Sequence, residues 1–220
     1  MKGPLAASTV ILTLALASGA MPASAGTVGG AIVLTKDGAP KKDAAGVVVY
    51  LENVAVPGPA QAAQAIHQRE LTFTPGLLVV VKGTTVEFPN DDKVFHNVFS
   101  VSKAAKFDLG LYKSGSTKSV TFETPGVVDV YCNIHPQMVA KIRVVENAFF
   151  AVTKADGAFQ IPNVPAGTYP IVAWQAFGEE KRGEVKVGAS GTSTIRFTLA
   201  EGQAPQRHTR KDGTPYGRYK

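Results

Sequence analysis

The sequence predicts an all-β protein built from β-sandwich domains. Its 22 glycines and 14 prolines punctuate short, Val-rich runs. Within those runs apolar and polar residues alternate with the two-residue period of a strand. Apolar residues make up 45% of the 220-residue chain and charged residues only 18%. That is enough apolar matter for a real core and excludes wholesale disorder. The length suits one large domain or two small ones.

The first 25 residues read as an address rather than as structure. Lys2 supplies a minimal positive region, an apolar run follows over residues 5–20, and Ala23-Ser24-Ala25 offers a cleavage site before Gly26. This is the form of a secretory signal peptide. The rival, a membrane-anchoring helix, needs about 20 apolar residues, and this run is shorter. No cysteine sits at the cleavage site to carry a lipid, and no later stretch reads as a membrane span. The expected mature protein is soluble and exported, most simply to a bacterial periplasm. Cleavage removes Lys2, Met1 and Met21, which lowers the formal charge of +6 by one and leaves one methionine, Met138.

Three blocks of strands follow. Residues 27–34 alternate with glycines, Lys36-Asp37-Gly38 is a turn, and residues 46–51 form a β-branched run. Residues 57–64, rich in Pro, Gly and Ala, read as a linker. In the second block, strands are expected over residues 71–81 (interrupted at Pro75-Gly76), 84–88, 94–101, 116–122, 127–132 and 139–145. Residues 102–115 read as its longest irregular piece. In the third block Asp156-Gly157 marks a hairpin. Tyr169, Ile171 and Ala173 share one face, as do Ile195, Phe197 and Leu199. Trp174 reads as a packing residue and Asp156 as turn chemistry. Residues 201–220 carry Arg207, Arg210, Lys211, Arg218 and Lys220 against Glu201 and Asp212, with little to bury. They read as a basic, disordered tail, or alternatively as an electrostatic handle for an acidic partner.

The single cysteine, Cys132, excludes an intrachain disulfide and a multi-cysteine zinc site. It opens the run Cys132-Asn133-Ile134-His135-Pro136-Gln137-Met138, which reads C-x-x-H-x-x-M at a strand end. Alone, a Cys-His pair can be a core thiol beside a loop imidazole. A lone thiol in an oxidising compartment is open to oxidation, however, and binding a metal as thiolate protects it. His96 stands where a neighbouring strand can bring it to Cys132. Two imidazoles, a thiolate and a weak thioether suit copper that alternates between Cu(I) and Cu(II). His67, at the linker edge, and His208, in the tail, read as surface or packing residues.

Phe88-Pro89-Asn90-Asp91, then His96-Asn97-Val98, then Cys132-x-x-His135-x-x-Met138 resemble the cupredoxins, the type 1 blue copper proteins. The resemblance covers about residues 65–146. Its ligand loop looks most like that of amicyanin, departing at Asn133-Ile134. The resemblance implies a Greek-key β-sandwich holding one mononuclear copper. His96, Cys132 and His135 would be its equatorial ligands and Met138 its axial one. It also implies that Asn97 pins the ligand loop. By strand parity Val128 and Val130 line the core beneath the site. Tyr131 points outward, where the family resemblance suggests a second electron route.

The run from Thr153 to Ile161 and on to Tyr169 resembles a second family, the carboxypeptidase regulatory-like or transthyretin-like sandwich. The glycine-spaced strand at Thr27–Gly30, the turn at Gly38-Ala39-Pro40 and the run over residues 46–51 resemble that family's opening. One reading builds this sandwich from residues 26–58 and 147–200, with the copper domain inserted between them. The other gives the N-terminal strands to the copper sheet. The resemblance implies a structural or docking role and no peptidase activity.

The function expected is that of a periplasmic one-electron carrier working through His135, not an enzyme. Its partner would be a redox protein (a dehydrogenase, cytochrome or oxidase) docking transiently on apolar surface around Val94, Ile134 and Pro136. Copper sequestration or delivery is the alternative, and a metal-free, adhesion-like sandwich a third reading. Copper enzymes need further His clusters, often His-x-His, and the sequence has none. Export argues against nucleic acid as a partner.

Overall fold

The computed structural model describes residues 25–55, 61–203, 205 and 207–216. The expected signal peptide at 1–25 lies outside them but for its last residue, as does the first half of the expected linker, residues 57–60. The described residues form strands, turns and loops with no helix, so the all-β expectation holds.

The chain opens with β1 (Ala25–Lys36), β2 (Ala39–Pro40) and β3 (Val47–Leu51). Next come β4 (Gln64–Ala65), β5 (His67–Arg69), β6 (Thr72–Thr74), β7 (Leu77–Val81), β8 (Thr84–Pro89), β9 (His96–Ser102) and β10 (Ala105–Tyr112). The middle block closes with β11 (Thr117–Phe122), β12 (Gly126–Tyr131) and β13 (Val139–Val145). The last block is β14 (Phe150–Val152), β15 (Ala158–Pro165), β16 (Gly167–Gln175), β17 (Glu180–Val187) and β18 (Thr192–Ala200).

The pairing joins the two ends of the chain. β1 lies between β15 and, in parallel, β18, while β3 lies between β14 and β16. The glycine spacing of β1 has a local cause at Gly30. A Cβ there would stand 1.9 Å from the Ile195 carbonyl oxygen, so no larger residue fits. The middle block makes its own sheets, β10-β9-β12-β13-β7 and β11-β8-β4.

These sheets stack in four layers with three apolar seams. Val28, Ile32, Val49, Leu51, Phe159, Ile171 and Leu199 pack between the β1 and β3 sheets. Phe88, Phe122, Val128, Val130, Cys132 and Ile142 pack between the two middle-block sheets. The third seam joins the blocks: Val48, Tyr50, Val172 and Trp174 meet Val79 and Val145. The continuous apolar run Val47-Val48-Val49-Tyr50-Leu51 follows from this. Odd positions face the first seam and even positions the third, so every residue of β3 is buried. The runs in β7 and β16 divide in the same way. Arg143 of β13 lies at this join, its guanidinium 4.7 Å from the Tyr50 ring and 5.3 Å from the Trp174 ring. Burial pushes the Tyr50 phenol up to about 12, although the neighbouring arginine pulls the other way.

Two expectations require correction. Residues 102–115 are not irregular: β10 pairs with β9 across most of that span. A register shift between Asp108 and Leu111, with Gly110 at φ 65°, breaks the alternation that would have revealed the strand. Residues 207–216 are not a free, disordered tail either. They lie on the loop that follows β12, held by hydrogen bonds and ring stacking rather than by apolar burial.

Candidate metal centre

β12 ends at Tyr131, and residues 132–138 turn back into β13. The Cys132 N–H donates to the Met138 carbonyl (3.3 Å) and the Met138 N–H to the His135 carbonyl (3.1 Å), which closes the loop on itself. β9 lies beside β12, with Phe99 opposite Tyr131. Its first residue, His96, thereby reaches the same end of the sheet.

Three side chains of the sequence motif converge there. His96 Nδ1 and His135 Nδ1 are 3.1 Å apart, and Cys132 Sγ is 3.5 Å from His135 Nδ1 and 3.8 Å from His96 Nδ1. A point at the centre of this triangle stands about 2 Å from each donor. Metal–nitrogen bonds run ~2.0–2.1 Å and metal–sulfur bonds ~2.3 Å, so the donor set fits one ion. Among the described residues this is the one group of three or more Cys, His or carboxylate side chains placed to hold a metal. His96 and Cys132 are fully buried and His135 partly exposed. Met138 is fully buried in the same apolar cluster as Cys132. Val128 and Val130 lie beneath, as their parity requires.

Electrostatics keep the imidazoles ready to accept an ion. His96 Nε2 lies 2.9 Å from Asp92 Oδ2. Burial raises the Asp92 carboxyl, but N–H donors from Leu71, His96 and Glu70 outweigh it and hold the group below the usual range. An ionised carboxylate only accepts, so Nε2 carries a proton, and in the neutral ring that leaves the lone pair on Nδ1. Burial lowers the His135 pKa, and the His96 charge lowers it further against a small opposing pull from Asp92. The neutral ring, with a lone pair to give, is favoured.

The motif did not reveal Asp92, which stands four residues before His96. Asn90 fixes the loop between them, donating to the Val94 and Tyr112 carbonyls and accepting from the Asp92 N–H. The only sequence signal was the Asn90-Asp91-Asp92 run before the histidine.

Other expected residues fall differently. Asn97 does not donate to the ligand loop; its Nδ2 donates to Asp108 Oδ1 (2.6 Å) on β10. Asp108 tends upward through burial, yet Lys211, Asn97 and the Gly110 N–H hold it down at about 2. Tyr131 faces away from the core, but His208 stacks on it at 4.5 Å. Burial raises its phenol pKa, with Asp129 adding to the effect. His67 lies elsewhere, paired with Asp91 at 2.7 Å.

Residues 60–145 match the family of copper binding proteins, plastocyanin/azurin family. Residues 136–195 match polysaccharide lyase family 4, domain II. No curated protein matches the chain. Among solved structures, a purple cupredoxin from Nitrosopumilus maritimus is 31% identical, covering 38% of this chain and 99% of its own, with a TM-score of 0.33. A Cu-containing nitrite reductase from Thermus scotoductus is 28% identical over 40% of this chain, with a TM-score of 0.37. The present chain spans only 23% of that reductase. A point mutant of amicyanin in its Cu(I) form is 23% identical, covering 44% of this chain and 98% of its own, with a TM-score of 0.36.

Proposed function

We propose that this chain, whose residues 60–145 form a cupredoxin domain of the plastocyanin/azurin copper-binding family, is an exported one-electron carrier with a single type 1 copper site. The observation that carries the proposal is the largely buried triangle of His96 Nδ1, Cys132 Sγ and His135 Nδ1. In this reading those three residues hold the ion and Met138 gives a weak axial thioether. Copper bound there supplies a Cu(I)/Cu(II) couple, with soft sulfur favouring one state and imidazole serving both. The chain's own work is to hold the donors still and exclude water from Cys132. Asp92 orients the His96 ring, and the partly exposed His135 offers the way out for the electron.

A redox partner such as a dehydrogenase, cytochrome or oxidase would dock around the site. Val94, Phe95, Leu71 and Leu111 are exposed on the segments that flank His96. Such contacts are small and transient, often under about 1,200 Å². Export rests on the form of residues 1–25; among the described residues no helix is long and apolar enough to cross a membrane. The second sandwich, read as transthyretin-like and built from both ends of the chain, would serve as the platform into which the copper domain is inserted. The pairing of β1 and β3 with strands beyond residue 149 supports that layout.

The test is to add Cu(II) to the purified chain. An intense visible thiolate-to-copper band and reversible one-electron voltammetry are expected. A colourless protein without a copper EPR signal under oxidising conditions overturns the proposal. A coloured protein with slow or irreversible electron exchange favours copper sequestration or delivery instead.

Asp92→Ala tests the orienting carboxylate. It leaves the fully buried His96 ring free to turn and removes the acceptor for the Glu70 and Leu71 N–H groups. Copper affinity should fall about 10- to 100-fold, the usual cost of losing a group that orients a metal ligand. A chelator competition titration reads the change, and unaltered affinity would count against the role.

A further inference from the structure

Residues 207–216 touch the metal loop at three points. The His208 N–H donates to the Pro136 carbonyl (3.3 Å), the Lys211 N–H to Asn133 Oδ1 (2.9 Å), and the Tyr216 O–H to the Cys132 carbonyl (2.8 Å). These three bonds add to the two backbone bonds, Cys132 to Met138 and Met138 to His135, by which the loop closes on itself. The segment has its own shape as well. The Gly213 N–H donates to the Arg210 carbonyl, the Arg210 N–H to the Thr214 carbonyl, and Gly213 takes φ 83°.

Its side chains cover the Tyr131 flank of the site. The His208 ring stacks on Tyr131 at 4.5 Å and 26°, and lies 6.0 Å from Phe99. Tyr216 meets His208 edge-on at 5.3 Å, and the Arg210 guanidinium lies 5.2 Å from the Tyr216 ring. The Lys211 ammonium reaches Asp108 (2.5 Å), the carboxylate that also holds Asn97 beside His96. One strap therefore ties the loop bearing Cys132 and His135 to the strand bearing His96.

We propose that residues 207–216 are a positioning strap for the metal site, in which Tyr216, Lys211 and His208 hold the 132–138 loop in its metal-ready shape and close the Tyr131 face. The proposal rests on the copper reading and deepens it. A loop braced from outside changes little when the ion changes charge, and its donors stay together when the ion is absent. With Tyr131 covered by His208, the exposed flank at His135 is left as the open side of the site.

Two variants test the strap: a chain ending at Gln203, which keeps the Glu201 and Gly202 contacts to the sandwich, and Tyr216→Phe in the full chain. Hydrogen exchange of the Cys132 and Met138 amides is measured without copper. Copper release to a chelator and the reduction potential are measured with it. In the truncated chain both exchange and release should quicken about tenfold, the effect of losing roughly one net hydrogen bond, and the potential should shift. Tyr216→Phe should move all three the same way by less. Unchanged exchange in both variants overturns the strap. Faster exchange with unchanged release and potential overturns its role at the metal. Faster exchange in a chain that binds no copper upholds the brace on the loop and overturns the copper reading instead.

Discussion

Cys132→Ser should abolish the intense visible copper band and the reversible redox couple while leaving the protein folded. The thiolate is the donor that makes the set soft enough for Cu(I), and a serine hydroxyl at the same place stays protonated and hard. The exchange is close to isosteric, so the apolar cluster of Val130, Ile142 and Met138 around the position keeps its packing. The new hydroxyl enters a fully buried place, where an unpaired one would cost about 1–3 kcal/mol. The His96 and His135 nitrogens stand 3.8 and 3.5 Å from the sulfur, and the shorter C–O bond sets the hydroxyl farther still, so the rings must close in before they pair with it. Unfolding by urea should therefore shift by no more than that amount, while absorption and voltammetry collapse. A variant that kept the band would place the thiolate elsewhere and overturn the site.

Trp174→Ala should destabilise the chain by about 3–5 kcal/mol, the range for truncating a large buried aromatic side chain. Trp174 packs in the seam where β3 and β16 meet β7 and β13. Its removal opens a cavity between the two sandwiches and takes one aromatic face from the Arg143 guanidinium. Because that seam couples the blocks, unfolding should also lose cooperativity and split toward two transitions. Urea titration followed by circular dichroism reads both effects, since the only tryptophan is the one removed. The copper band should survive at low urea, because no donor side chain faces this seam. A loss below about 1 kcal/mol would mean that the blocks do not depend on this contact.

Much of the fold was legible because strands advertise themselves. Alternation and Gly-Pro punctuation marked β1, β8, β11, β12 and β13 within a few residues. β10 was missed because the bulge at Gly110 interrupts its two-residue period. The candidate site was legible for a different reason. Cys132, His135 and Met138 occupy one short loop, so their spacing stands in the sequence itself, and His96 was nominated by residue type and a neighbouring motif. Asp92 and Asn90 were not, since an acidic or amide side chain in a turn looks the same whether it faces solvent or a buried imidazole. Asn97 was expected to reach the ligand loop and instead donates to Asp108, a partner whose strand had not been recognised.

The sequence by itself determined the all-β class, the scarcity of sulfur and the residue types of the candidate site. Those depend on residue type and on neighbours a few positions apart. Only the tertiary structure decided which faces are buried and what lies over the site. The run Val47-Val48-Val49-Tyr50-Leu51 could declare itself apolar, but not that two different layers press on its two sides. The basic segment at 207–216 has little to bury, so composition marked it as solvated. Its place is set by hydrogen bonds and ring contacts made 84 residues away at Cys132 and 103 residues away at Asp108. Polar contacts at that separation leave no periodic trace in the chain, because they depend on where the backbone returns and not on a repeating pattern of side chains.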